Sequence, residues 1–265
     1  MAELRTPLEI AVQSGDLPGV QRQFQRGATP NDRNHLGIPV LFDALRRNEL
    51  TLLTLFDRAG VCWQQPYNTG GYTPLVYACL YCELEVVRYL CEQGQSIDQC
   101  TAHGVRGIHV AVQRPTLEVA QFLHEAGANL FAETGQGESA LLISLRCKAN
   151  LAAFHWLLQR YGSAGRDLSP LVLPCLAHLL EQQRPDAVQA AAALLPLVAQ
   201  VPGETALGDY LRQPGNYAST ALRPLSIALD SRLSRQLFAL LRAEALSRQT
   251  QGAPVITRWH SPGHL

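Results

Sequence analysis

The residue types most capable of chemistry gather in the middle of the chain. Cys79-Leu-Tyr-Cys82 followed by Cys100-Thr-Ala-His103 has the spacing of a four-ligand zinc site, in which thiolates and an imidazole close a tetrahedron. Cys147 and His155 offer a nucleophile and a base, although no third residue stands ready to orient the base. Glu83 and Glu85 offer a paired acid and base, and Thr69-Gly-Gly-Tyr72 is a glycine-rich turn of the kind that approaches phosphate. The eight histidines are otherwise dispersed, without a His-Glu-x-x-His helix. Near the C-terminus, residues 212–258 carry seven arginines against two acids. An RNA surface would add lysine clusters or interleaved aromatics, and neither accompanies them.

Which of these chemistries is available depends on the elements that hold the residues. Apolar residues make up 47% of the 265 and charged residues 17%, enough to build a core. Formal net charge is zero, so any charge-driven binding must come from local patches. Of the 22 basic residues only Lys148 is lysine, an arginine bias that points to a GC-rich, bacterial source. Loss of ubiquitin acceptor sites in a secreted effector is the other explanation. Seven cysteines, an odd number scattered along the chain, fit a reducing compartment better than a disulfide framework. The opening Met1-Ala-Glu-Leu-Arg-Thr-Pro7 lacks the basic-then-apolar layout of a signal peptide. The most apolar stretch, Ala187 to Val201, is short and interrupted by Gln189, Pro196 and Gln200, which reads as a buried helix and not a membrane span. The expectation is a cytoplasmic protein, or an effector secreted without a signal peptide.

The elements repeat. Thr6-Pro-Leu-Glu-Ile-Ala11, Pro39-Val-Leu-Phe-Asp-Ala44, Thr73-Pro-Leu-Val-Tyr-Ala78, Arg106-Gly-Ile-His-Val-Ala111 and Ser139-Ala-Leu-Leu-Ile-Ser144 start 33, 34, 33 and 33 residues apart. Downstream of each lies a second periodic segment ending in glycine: Gly27, Gly60, Gly94, Gly127 and Gly162. Thr or Ser caps a first helix, proline sits in its first turn where a missing N–H is harmless, and leucine opens the apolar stripe. The small residue that follows lets neighbouring helices approach, and the glycine ends a second helix.

This pattern resembles the ankyrin repeat, with Gly71-Tyr-Thr-Pro-Leu-Val-Tyr-Ala78 through Gly94 the best match within the chain. The resemblance implies an all-α solenoid of stacked helix-turn-helix units with β-turn fingers. Five repeats are expected over 1–165, and degenerate repeats over 166–246 form a helical C-terminal cap with helices at Ser169–Gln182, Pro185–Gln200 (kinked at Pro196) and Ser234–Leu246. Arg223-Pro-Leu-Ser-Ile-Ala228 opens one of them, and a loose tail follows over 247–265. Departures are Pro39 and Arg106-Gly107 at helix openings, about two extra residues around Lys148-Ala-Asn150, and a long finger from Val61 to Gly71. In this register Cys79 falls on the small buried position and Cys82 at the helix end, while Cys100 and His103 belong to the next finger. Cysteines there act as small hydrophobes, so no metal and no cofactor is expected.

Partner contacts in the family fall on finger tips and on the exposed ends of the first helices. Carried onto this chain, the contact positions are Arg33, His35, Ile38, Tyr67, Tyr72, His103 and Glu138 on the fingers, and Arg46, Arg47, Leu80, Tyr81, Gln113, Arg114 and Arg146 on the helices. Arg46, Arg47, Arg114 and Arg146 are expected to form a broken basic row, and Tyr67, Tyr72 and Tyr81 with Trp63 an aromatic patch. Tyr, Trp and Arg dominate interface energetics, at about 2 kcal/mol or more each when central and desolvated. The expected partner is therefore another protein with an acidic surface; nucleic acid and membrane are not expected. The function so read is a protein-binding scaffold and not an enzyme, either an inhibitor or immunity-type protein for a cognate toxin or enzyme, or an effector or adaptor engaging a host or cellular partner. Catalysis or RNA binding within 166–265 is the minor alternative.

Overall fold

The computed structural model describes residues 5–146, 151–182, 186–197, 201–202, 232–250 and 255–256. The chain divides into two compact units, Met1–Ala140 and Leu141–Leu265. The first contains four helix pairs: α1 (Pro7–Ser14) with α2 (Leu17–Gln25), α3 (Val40–Arg46) with α4 (Leu50–Arg58), α5 (Pro74–Tyr81) with α6 (Leu84–Glu92), and α7 (Gly107–Ala111) with α8 (Glu118–Glu125). The openings behave as their residue types require. Thr6 and Thr73 accept the N–H of Glu9 and Val76 at 3.1 and 3.4 Å, with proline in the first turn. Pro39 caps α3 without any such bond. At α7 the exchange is inverted, and the Arg106 N–H donates to Nδ1 of His109 at 3.1 Å. Gly107 replaces proline there for a packing reason: a Cβ at that position would lie 2.9 Å from Sγ of Cys79. Gly27, Gly60, Gly94 and Gly127, which end the second helices, take the left-handed conformation, as at Gly127 with φ +93°, whereas Gly162 lies inside the helix Ala152–Ser163 and the left-handed residue after it is Gly165.

First helices α1, α3, α5 and α7 pack in sequence as one layer, and α4, α6 and α8 form a second behind them. Phe24 on α2 joins that second layer edge-on to Phe56, at 5.4 Å between centroids. Leu41, Phe42, Leu45, Leu52, Leu53, Leu75, Leu90, Ile108 and Leu123 are fully buried between the layers. Each such side chain contributes about 1.5–3 kcal/mol of transfer free energy, so the stack is stabilised by adjacency and not by any isolated helix. The small residues Ala11, Ala44, Ala78 and Ala111 are buried where the first helices meet.

The fingers project from the first-helix layer as short hairpins, with antiparallel bridges Arg33–Pro39, Cys100–Arg106 and Glu133–Ser139. Asn31 ties the bases of the second and third fingers, its Oδ1 accepting from Cys62 N–H at 2.7 Å. Further along, tips join directly: Ala102 N–H donates to Gly70 O at 3.1 Å, and Gly135 N–H to His103 O at 2.7 Å.

The second unit holds α10 (Ala152–Ser163), α11 (Ser169–Gln182), α12 (Ala187–Leu194) and α13 (Arg232–Thr250); α9 (Ala140–Ser144) begins at the division between the units. Helix α10 packs against α12, and α12 against both α11 and α13. Helix α11 has the limits read from its sequence. The expected Pro185–Gln200 helix is shorter, because Pro196 cannot donate an N–H and the chain tightens into a 3-10 turn over Leu195–Leu197. Helix α13 runs to Thr250, and Val255–Ile256 (β2) pairs in parallel with Val201–Pro202 (β1). Part of the tail expected to be loose is therefore built into the fold. The motif at Arg223–Ala228, the insertion at Lys148–Asn150 and Cys147 lie outside the described residues.

Candidate protein-binding face

The expected contact residues separate by what holds them. At the second and third repeats several converge. The phenol of Tyr77, on the inner side of α5, accepts from Nε of Arg46 at 2.8 Å. Around Tyr77 stand Phe42 and Tyr67, at ring separations of 5.1 and 5.4 Å, and Tyr81 at 4.9 Å. Phe42 also meets Tyr67 edge-on at 5.0 Å. Phe42 and Tyr77 are buried, Tyr67 is half-buried, and Arg46 and Tyr81 are exposed, Tyr81 at 62%. The result is a fixed aromatic base with one arginine and one tyrosine standing out of it. The Tyr77 hydroxyl and the charge field around it raise the pKa of Arg46, while burial holds the Tyr77 phenol above its ordinary range against the lowering effect of Arg46.

The basic row does not form as expected. Arg47 and Arg114 occupy the same repeat position, eight residues after Pro39 and Arg106, and both turn back onto the preceding first helix. Nη1 of Arg47 donates to Gln13 O at 2.9 Å, and the same guanidinium pairs with Glu49. Nη1 of Arg114 donates to Cys82 O at 2.6 Å and Cys79 O at 3.3 Å, at the end of α5. These arginines are caps that satisfy helix carbonyls and oppose the negative end of the helix dipole. Tyr81 fills the same position in the third repeat, and having no such reach it projects. Arg146 is exposed in the second unit.

The aromatic patch also loses one member. Trp63 is 8% exposed, with its indole N–H on Oδ1 of Asp57 at 3.1 Å and its ring edge-on to Tyr89 of α6 at 5.9 Å. A large ring with one donor is satisfied there on the second-helix side, away from the Tyr77 cluster. Among the finger residues, Tyr72 is half-buried and its carbonyl accepts from Tyr67 N–H at 2.8 Å. Arg33 bonds within its own finger, to Gly37 O at 2.6 Å. His35 is anchored, its Nδ1 2.6 Å from Oε1 of fully buried Glu9, whose Oε2 accepts the His35 N–H at 3.1 Å. Burial pushes the Glu9 carboxyl upward, but its bonds to His35 and Thr6 leave it below its ordinary value. His103 and Gln113 are exposed, and Ile38, Leu80 and Glu138 are half-buried. One contributor escaped the sequence reading: Tyr77 sits at the variable position before the small alanine, and only its aromatic type could have marked it out. Leu36, which the family register also places among the contact positions at the second finger tip, is 67% exposed.

The cysteines of the zinc-like pattern are spread apart in environment. Cys79 and Cys82 are buried, and Sγ of Cys82 donates to Leu45 O at 3.3 Å. Burial pushes the Cys82 thiol up to about 12 and that of Cys79 higher still. Cys100 and His103 are exposed on the finger. Among the described residues no cluster of three or more potential ligands forms a metal site, and no helix is long and apolar enough to cross a membrane.

Stacked helical hairpins with projecting fingers define a repeat protein. Residues 8–101 match the family described as ankyrin repeats, in three copies. Residues 8–101 are thus a run of ankyrin repeats, and such repeats are protein–protein interaction scaffolds. It is 33% identical over 110 residues to the mouse protein named ankyrin repeat and SOCS box protein 11, covering 40% of this chain and 32% of that one. It is 28% identical over 125 residues to a yeast protein named probable 26S proteasome regulatory subunit p28, covering 43% and 55%. A nematode protein named BRCA1-associated RING domain protein 1 is 24% identical over 176 residues, covering 66% and 23%. The chain thus spans from about a quarter to about half the length of these curated relatives.

Proposed function

We propose that the face built by α3, α5 and the third finger captures another protein, with Arg46, Tyr67, Leu80 and Tyr81 as its centre and Ile38, Tyr72, His103, Gln113 and Glu138 around it. The observation that carries this reading is the exposed Tyr81–Arg46 pair seated on the buried Phe42–Tyr77 base. Exposed aromatic and guanidinium groups on a rigid base lose little side-chain entropy when a partner docks. The partner surface is acidic, the protein acts in the cytoplasm, and the array runs as five repeats over 1–165 with degenerate repeats over 166–246. In its finer form the role is that of an inhibitor or immunity-type protein that occludes a cognate toxin or enzyme. A second reading, an adaptor, is favoured by the relatives named for a SOCS box and for a proteasome regulatory subunit. Affinity capture from the native cell, with mass spectrometry, tests both. Wild type should retain a stoichiometric partner that the Arg46→Ala, Tyr81→Ala double variant releases. Retention by both refutes the placement. Inhibition of the partner's activity by the pure chain separates inhibitor from adaptor.

A further inference from the structure

Resting on that reading, we propose that the second and third repeats read a single carboxylate: Arg46, held by the Tyr77 phenol whose ring meets those of Tyr67 and Tyr81, takes one Asp or Glu side chain from an extended segment of the partner that passes the gap between the second and third finger tips. Four observations lead there.

Among the described residues no carboxylate is bonded to Arg46. Its Nε is held by a neutral phenol, and the nearby Asp43 is engaged through Oδ2 by Asn34 Nδ2 at 2.9 Å. Using Nε for the tether leaves the two η nitrogens, one edge of a planar fork, for a ligand. The neighbouring charge is spent, because Arg47 is paired with Glu49 and bonded to Gln13 O. One guanidinium whose η nitrogens bond no carboxylate among the described residues matches one negative charge; a dianionic phosphate would call for a second cation, and Arg33 is turned into its own finger.

The rings beside Arg46 are apolar on their faces, which lowers the local dielectric and strengthens a charge pair relative to open water. They also offer contact to the methylenes or apolar neighbours of the acid.

The finger row is interrupted at this point. Between the third and fourth tips, and between the fourth and fifth, a carbonyl preceding the turn glycine accepts from the next finger. The equivalent pair would be Leu36 O with Thr69 N–H, and among the described residues no backbone bond joins those two tips. A Cβ on Gly37 would meet nothing within 4 Å, whereas one on Gly104 would lie 2.7 Å from Gly135 N. The second and third motifs are 34 residues apart, one more than the other intervals, so the longer finger falls out of step.

Beside that gap Leu36 is 67% exposed. The partner segment is therefore one in which an acidic residue lies near an apolar one.

A displayed library of random linear peptides, selected on the full chain, tests this. Sequences recovered on wild type should be enriched in Asp or Glu at one position. A synthetic peptide from that pool should lose about ten-fold in affinity when its acid is changed to the amide, and should lose as much on Arg46→Gln. The two changes together should cost little more than either alone, the signature of a direct pair. The amide peptide on wild type also guards against a variant that folds poorly. Peptides without a carboxylate preference, or losses that simply add, overturn the carboxylate proposal; if Tyr81→Ala still abolishes binding, the face itself stands. Peptides indifferent to both Arg46→Gln and Tyr81→Ala overturn the face as well.

Discussion

Arg114 gives a sharp measure of whether neighbouring arginines differ as the structure divides them. Replacing it with Met keeps most of the aliphatic stem and removes the donors to Cys82 O at 2.6 Å and Cys79 O at 3.3 Å. Both cysteines are fully buried, so water reaches the end of α5 poorly once the guanidinium has gone. A hydrogen bond from a charged donor contributes about 1.5–3 kcal/mol, and the cation at a helix C-terminus overlaps with that figure. The short bond carries most of it, so a loss of about 2 kcal/mol is expected. With a urea slope of about 2 kcal/mol/M, the midpoint should fall by about 1 M. Equilibrium urea unfolding followed by circular dichroism reads this directly, and hydrogen exchange should show earlier opening at the end of α5. Arg33→Met, which disturbs only a solvated finger bond, should stay within about 0.5 kcal/mol. An Arg114→Met midpoint equal to wild type, at an unchanged slope, would refute the capping role and return Arg114 to the binding face.

Three further outcomes follow from the same geometry. Gly104→Ala should destabilise by at least 1 kcal/mol more than Gly37→Ala, since both have left-handed φ but only Gly104 presses on the next finger; thermal melting of the two variants compares them. Iodoacetamide on the native chain should label Cys62 and Cys100 first, and Cys79, Cys82 and Cys175 only after unfolding, as peptide mass spectrometry would record. Burial lowers the pKa of His109 below 6.5, so folding keeps it neutral while the unfolded chain takes up a proton below that pH. The fold should therefore lose stability as pH falls from about 6.5, by up to about 1.4 kcal/mol per pH unit from this residue, and His109→Asn should show a shallower dependence in urea midpoints.

The helix pairs were legible because their signals are local. Thr73-Pro74-Leu75 dictates where α5 starts, and Gly94 where α6 ends, without reference to the rest of the chain. What could not be read was the reach of long side chains between repeats. Arg46 and Arg47 are adjacent and identical in type, yet one is tethered by a phenol and the other turns back to cap α1. Trp63 has the composition of an interface residue, but Asp57, six residues earlier, supplies a partner that draws it inward. Tyr77 is one residue of the repeat motif between Val76 and Ala78, and its role emerges only once Phe42 and Tyr67 are brought beside it. The pairing of Val201 with Val255 joins segments far apart in sequence and carries no local mark.

The claim that the Arg46–Tyr81 face receives a protein can be tested in the cell by placing benzoylphenylalanine at position 81, where the side chain is 62% exposed, and at Glu85, exposed on α6 in the second layer. Irradiation should yield a discrete protein adduct from position 81 that fades when Arg46 is changed to Gln, and none of that size from position 85. Adducts from position 85 alone, or an adduct at 81 indifferent to Arg46, would contradict the account.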